Sequence, residues 1–273
     1  MPIAPNGPVY YLEKFGDQSI VCNQYALAKL GVERSRCFLK IDEYVILCVP
    51  FQFGFKRSLF LASLSKQELT FFRRYVNGII GLSITFTPGH RQESIKFFIR
   101  CTLTTVGQMK DRENVGLLAV DYKATPNDLI NMLGGFLDHQ DRLQGLYDEY
   151  GNKPIKMTPA VSKELGYNMF ATIMSPNHEG RRIQIVSLST KIIEHLEASN
   201  APERPAGTSV AYQIYFKKYR LSVAGTVRQT SVLPQGLVRT VSSLAISPEL
   251  VEIIDDYWYR VHSSPTLKMQ IVQ

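Results

Sequence analysis

The feature that most restricts the fold is a pattern that occurs twice: short β-type segments broken by turn residues, then a helix opened by a hydroxyl residue and a proline. The two openings are Thr125-Pro126-Asn127-Asp128 and Ser247-Pro248-Glu249. A Thr or Ser at the cap accepts from a backbone N–H of the first turn, and proline at the first helical position loses nothing by lacking its own N–H. Ahead of the first opening, residues 37–49 make a hairpin around Asp42-Glu43, segments 82–87 and 95–104 flank the turn at Pro88-Gly89, and 116–122 adds a strand. Residues 16–30 predict a short strand and an amphipathic turn stopped by Gly31, and 64–74 a helix capped by Ser65 with Glu68 as its capping-box partner. Ahead of the second opening come β-like segments 170–174, 182–188, 209–216, 221–228 and 237–244, with turns at Pro176-Asn177, 202–207 and Pro234-Gln235-Gly236.

Helix 127–138 places Leu129, Ile130, Leu133, Phe136 and Leu137 on one face, and a second helix covers 249–261. Between the halves lies a polar gap, 140–156. Strands at this spacing, without strand–helix–strand alternation, exclude a parallel doubly wound sheet. They predict a mainly β, α+β chain of two tandem antiparallel β-barrels, each closed by a C-terminal helix.

Composition adds exclusions. With 45% hydrophobic and 20% charged residues, the chain is globular rather than disordered or fibrous. The formal charge of +7 suits an anionic partner, but it divides evenly, with 16 basic and 12 acidic residues up to Gln140 and 15 and 12 after it. The departure is 204–248, where Arg204, Lys217, Lys218, Arg220, Arg228 and Arg239 meet no acid. A polyanion would bind there first; a β-rich segment balanced by acids on neighbouring elements is the simpler account. Cys22, Cys37, Cys48 and Cys101 show no C-x-x-C spacing, so buried thiols are expected rather than zinc or redox chemistry. The N-terminal Met1-Pro-Ile-Ala-Pro-Asn-Gly-Pro8 does not read as a secretory signal, and the apolar run 44–55 is too short to span a bilayer, so a cytoplasmic protein is expected.

No phosphate-loop, dinucleotide-binding, zincin or hydrolase motif occurs. His90, His139, His178, His195 and His262 lack partners at ligand spacing, and Asp255-Asp256 point to different faces of a helix. Binding is therefore expected over catalysis, with no metal and no cofactor.

The strings Ile95-Lys-Phe-Phe-Ile99, Gly116-Leu-Leu-Ala-Val120 and Ala124-Thr-Pro-Asn-Asp-Leu-Ile-Asn-Met-Leu-Gly134, and in the second half Arg182-Ile-Gln-Ile-Val-Ser-Leu-Ser189 and Ile253-Ile-Asp-Asp-Tyr257, occur in the order of a two-domain PilZ protein. The chain resembles that family, in particular the spirochaete type with a PilZ-like N-terminal domain. The resemblance implies a PilZ-like domain over 1–140, a linker over 141–156 and a C-terminal PilZ domain over 157–273. It also implies cyclic di-GMP as ligand, held by an R-x-x-x-R pair in the linker and a [D/N]-x-S-x-x-G turn on the barrel. Laid on this sequence, the arginine positions carry Tyr150 and Pro154, with Lys153 and Lys156 as substitutes in a shifted register. Lysine offers a point charge without the planar fork of arginine. The turn falls on Ser187-Leu-Ser189-Thr-Lys-Ile192, which keeps only Ser189; Ser187 replaces the acid or amide and Ile192 the glycine.

The resemblance thus implies the family fold with weakened or lost cyclic di-GMP binding, and a non-enzymatic signalling adaptor in motility or surface behaviour acting through a protein partner. Two other readings stand beside it. In one, Arg142, Lys153, Lys156, Arg181 and Arg182 rebuild a basic site for cyclic di-GMP. In the other, Lys217, Lys218, Arg220 and Arg228, interleaved with Tyr212, Tyr215, Phe216 and Tyr219, bind nucleic acid.

Overall fold

The computed structural model describes residues 7–89, 93–110, 112–175, 178–198, 200–202, 204–217 and 220–263. The start of the N-terminal segment, His90, the Pro176-Asn177 turn, Lys218, Tyr219 and the side chain of His178 lie outside the described residues. The chain divides into two compact units, 1–139 and 140–273.

The first unit contains α1 (Pro8–Phe15), β1 (Ser19–Val21), α2 (Gln24–Leu30), β2 (Val32–Ile41), β3 (Tyr44–Gly54), β4 (Arg57–Ser63), α3 (Lys66–Phe72), β5 (Ile79–Phe86), β6 (Ile95–Gln108), β7 (Val115–Tyr122) and the first half of α4 (Asn127–Tyr150). The second contains the rest of α4, then β8 (Ile155–Lys156), α5 (Pro159–Leu165), β9 (Tyr167–Ser175), β10 (His178–Leu188), β11 (Ile192–Glu197), β12 (Ser209–Phe216), β13 (Arg220–Val232), β14 (Val238–Leu244) and α6 (Pro248–Ser263). Each unit is a closed antiparallel barrel of six strands. In the first, the order β3-β2-β5-β6-β7-β4 closes through β3–β4; in the second, β10-β9-β12-β13-β14-β11 closes through β10–β11. Both barrels are thus mainly β with a helix following, as the strand pattern predicts.

The two units repeat each other more closely than the sequence suggests. Strand for strand the pairings are identical, and in both a two- or three-residue strand is added to the second barrel strand (β1 on β3, β8 on β10). Each added strand leads into a seven-residue helix capped at its start by a side chain, Asn23 or Thr158, and stopped by a left-handed glycine, Gly31 or Gly166. The backbone bonds coincide: Cys22 N–H donates to Phe51 as Met157 does to Val186, and Tyr122 N–H to Lys56 as Leu244 does to Lys191. Val21 and Lys156, Cys22 and Met157, Phe51 and Val186, and Lys56 and Lys191 are each 135 apart, whereas at the intervening hairpins, where Ile41 faces Tyr44 and Ser175 faces His178, the offset is 134. One architecture has been laid down twice, with few residues shared along the common offset, among them Ile20/Ile155, Leu30/Leu165, Gly31/Gly166 and Lys56/Lys191.

The cores follow from alternation. In the first barrel Leu39, Phe60, Leu82, Ile84, Phe86, Leu103 and Leu118 are fully enclosed; in the second, Ala171, Ile173, Ile193, Tyr212, Ile214 and Val223 are. Cys37, Cys48 and Cys101 are buried thiols and Cys22 is half-buried. The helix expected over 127–138 continues to Tyr150, through what reads in the sequence as a polar gap. Few apolar residues announce that half: Leu143 is its buried side chain, and ion pairs such as Arg142–Asp255 and Asp148–Lys191 fix the rest. Among the described residues no helix is long and apolar enough to cross a membrane.

Candidate functional site

The residues that the sequence singles out gather, in part, where the end of α4 and β8 run beside the β10–β11 turn of the second unit. Tyr150 ends α4. Its ring stacks on Trp258 at 6.4 Å, and its hydroxyl donates to Asp255 Oδ1 at 3.1 Å, while Arg142 donates to the other oxygen at 3.0 Å. Burial, then the bond to Asp255, pushes the Tyr150 phenol up to about 12. Lys153 folds back over the Tyr150 ring at 5.1 Å and pairs with Glu149 at 2.9 Å. Pro154 and Lys156 are exposed, and Lys156 stands opposite Ser187 in the β8–β10 ladder.

The turn is closed by its one retained residue. Ser189 is fully buried; its hydroxyl donates to the Gly151 carbonyl at 2.9 Å and accepts from the N–H groups of Ile192 at 3.0 Å and Lys191 at 3.3 Å. Thr190 donates to the Tyr147 carbonyl at 2.7 Å, and Lys191 pairs with Asp148 at 2.7 Å while lying over the Tyr147 ring. Gly151 faces the Lys191 side chain so closely that a Cβ there would displace it. Ser187 donates to Glu194, whose other oxygen accepts from Arg239 at 2.7 Å. The hydrogen-bonding groups of the turn are thus engaged with one another and with the end of α4.

Arg181 and Arg182 are not part of this cluster. Five and six residues from Ser187 along β10 corresponds to roughly 17–20 Å of strand. Arg181 donates to Asn200 at 2.6 Å and sits 3.9 Å from Glu197, and Arg182 lies over Phe170 at 5.3 Å. Near them is a buried polar group that the sequence did not announce. Glu197, 3% exposed, accepts both forks of Arg204, also 3% exposed, the second at 3.1 Å, and lies 3.2 Å from His195 Nε2. Arg204 is therefore no polyanion contact, and Arg239 is matched by Glu194. Two of the six basic residues in the acid-free stretch are balanced by acids on β11, a strand missed because its inward positions Ile193, His195 and Glu197 break the apolar alternation.

The equivalent place in the first unit is arranged differently. There Gly16, Asp17, Gln18 and Ser19, the β3–β4 turn from Gln52 to Ser58, and Asp121 and Tyr122 line a cavity of about 720 Å³. Arg57 clamps Asp121 with two bonds and Lys56 lies 3.7 Å from Asp17. Among the described residues no cluster could hold a metal ion.

Residues 9–140 match the family model of the PilZN3 domain. The first unit is a PilZN3 domain. A second barrel of the same strand order follows it in the chain. Among solved structures, PlzA of Borreliella burgdorferi in complex with c-di-GMP is 14% identical, over 92% of this chain and 97% of its own, with a TM-score of 0.44. Escherichia coli YcgR in complex with c-di-GMP is 10% identical over 98% and 96%, with a TM-score of 0.33. The Bacillus subtilis inhibitor of motility, MotI/DgrA, is 10% identical over 85% and 99%, with a TM-score of 0.30. No curated protein matches the sequence. The linker and turn positions that the resemblance implies for a ligand carry Tyr150 and Pro154, and Ser187, Ser189 and Ile192, in the second unit.

Proposed function

We propose that this protein is a non-enzymatic adaptor in cyclic di-GMP-related regulation whose second barrel no longer grips the dinucleotide in the family manner. The observation that carries this reading is the position expected to supply the first arginine: Tyr150 stands there, with its ring on Trp258 and its hydroxyl bonded to Asp255. A phenol so placed offers neither the planar charged fork nor a free donor. The buried Ser189 supports the same reading, since its hydroxyl serves Gly151, Lys191 and Ile192. Each charge-assisted hydrogen bond lost is worth ~1.5–3 kcal/mol, and at ~1.4 kcal/mol per tenfold the loss of two removes a micromolar site from the useful range.

A receptor with a rebuilt basic site would draw on Lys153, Lys156, Arg181 and Arg182. The separation of the arginines along β10 and the engagement of Lys153 with Glu149 weigh against it. The discriminating experiment is fluorescence anisotropy of labelled cyclic di-GMP with the full chain. No saturation up to ~100 μM is expected, since that is roughly a hundredfold above a micromolar constant. Micromolar saturation that Lys153→Ala with Arg182→Ala removes would overturn the adaptor reading and establish the rebuilt site.

A further inference from the structure

The outer wall of the first barrel carries an apolar row that nothing among the described residues covers. In register across β3, β2, β5 and β6 stand Leu47, Phe38, Ser83 and Phe98, all pointing outward. Leu47 is 61% exposed and Phe98 70%, and Val45, at 64%, extends the row along β3. Cross-strand packing accounts for Ser83, which is buried between its two phenylalanine neighbours, and for the Phe98 ring, which lies against Gly81. It does not account for side chains left two-thirds in water in one contiguous patch.

The charges beside the row are of one sign. Two residues along the strands in one direction lie Lys40 and Arg100, on either side of Gly81; two residues in the other lies Lys96, opposite Thr85. β3, β5 and β6 contain no acidic residue, and the one acid of β2, Glu33, is bound to Arg36. Among the described residues Lys40, Lys96 and Arg100 are exposed and form no ion pair; the nearest acids in sequence lie off the strands, Asp42 and Glu43 in the β2–β3 turn and Glu93 ahead of β6. An apolar strip between unneutralised cations selects a partner that is apolar along its centre and acidic along its edges.

The dimensions select its shape. The flanking basic positions Arg100 and Lys96 are four residues apart, roughly 13 Å along a strand, and a helix with its side chains is ~10–12 Å across. Four strands span three spacings, roughly 14 Å, the length of about ten residues of helix. Nucleic acid would use aromatic faces and leave Val45 and Leu47 without a role. A bilayer would have to pass lysine and arginine side chains longer than the valine and leucine between them.

We propose that this wall of the first barrel is the docking face for an acidic amphipathic helix of a partner protein, laid across β3, β2, β5 and β6 with its apolar stripe on Leu47, Phe38 and Phe98 and its carboxylates beside Lys40, Arg100 and Lys96. The proposal rests on the adaptor reading only in requiring a protein partner.

The test uses the full chain and defined probes: a 15-residue helical peptide with leucines at i, i+4, i+7 and i+11 and glutamates flanking them, the same peptide with lysines in place of glutamates, a 15-mer of single-stranded thymidine, and phosphatidylglycerol vesicles. The glutamate peptide is expected to bind at least about tenfold more tightly than the lysine peptide. Leu47→Glu and Phe98→Ala should each weaken it by about tenfold, and Lys40→Glu with Arg100→Glu should reverse the preference. These positions are exposed, so the variants should keep the wild-type unfolding midpoint. Equal or absent binding of the two peptides, insensitivity to Leu47→Glu, tighter Phe98-dependent binding of the oligonucleotide or vesicles, or a dimer that Leu47→Glu dissociates would each overturn the proposal. Cyclic di-GMP titration of the same variants reads the second barrel separately.

Discussion

Glu197 and Arg204 form a charge pair inside the second barrel, and the physics of such a pair is asymmetric. Burial works to raise the Glu197 pKa; hydrogen bonds from His195 and Arg204 outweigh it and hold the carboxyl below its ordinary value. A carboxyl depressed in the folded state contributes stability above its unfolded pKa of ~4.3, and the contribution is lost as pH falls through the folded value. Unfolding free energy measured by urea titration should therefore drop below about pH 4, and Glu197→Gln should flatten that acid limb. At pH 7 the same substitution leaves Arg204 buried without its counter-charge and should cost about 3–5 kcal/mol. Ser189→Ala is a milder change. It removes one donor and strands two N–H groups of the turn, so a loss of ~1–3 kcal/mol is expected from the same titrations. Two of these contacts join residues far apart in sequence, Ser189 with Gly151 and Tyr150 with Asp255, and Arg204 folds back seven residues onto Glu197. The sequence shows which residues stand at the positions the resemblance implies; their bonds with one another it does not show.

At the scale of the element, what was legible is what is local. The Ser247-Pro248 opening, the Ser65–Glu68 capping box and the Gly31 stop are written in contiguous residues, and they stand where they were expected. The Thr125-Pro126 opening differs: α4 begins at Asn127, and the Thr125 hydroxyl donates to the Phe55 carbonyl at 2.6 Å instead of capping the helix. The strands β4 and β11 were not legible, each for a reason of its own. In β4, Leu59 and Leu61 face out as Phe60 and Ala62 face in, so apolar residues on both faces erase the alternation; in β11 the interior itself is polar. The paired helix stops allow a sharp comparison. Gly31 and Gly166 both adopt the left-handed conformation, but a Cβ at Gly31 would collide with the backbone of Thr87 and Pro88, while the space at Gly166 is open. Gly166→Ala should cost about 1–2 kcal/mol, the strain of a left-handed alanine. Gly31→Ala should cost clearly more, and the two denaturation midpoints compare them directly.

For the whole molecule, the repeat is the informative fact. Two barrels share every strand pairing, and one 135-residue offset relates β1 and the end of β3 to β8 and the end of β10, so the same place in the fold can be compared within one chain. In the second barrel that place is closed by Ser189, Lys191 and the end of α4; in the first it is lined by Asp17, Lys56, Arg57 and Asp121 around about 720 Å³. The positive charge that suggested an anionic partner is partly matched within the second barrel, by the buried Glu197 and by Glu194 at the surface, and partly displayed on the outer wall of the first barrel. The central claim is that the second barrel has exchanged a dinucleotide grip for internal bonds. Its most direct test is thermal unfolding of the full chain with and without unlabelled cyclic di-GMP at ~100 μM. A ligand at a hundred times its dissociation constant stabilises by ~2.7 kcal/mol, which for a protein of this size shifts the midpoint by roughly 5–10 °C. The account predicts no shift beyond error; a shift of that size would contradict it.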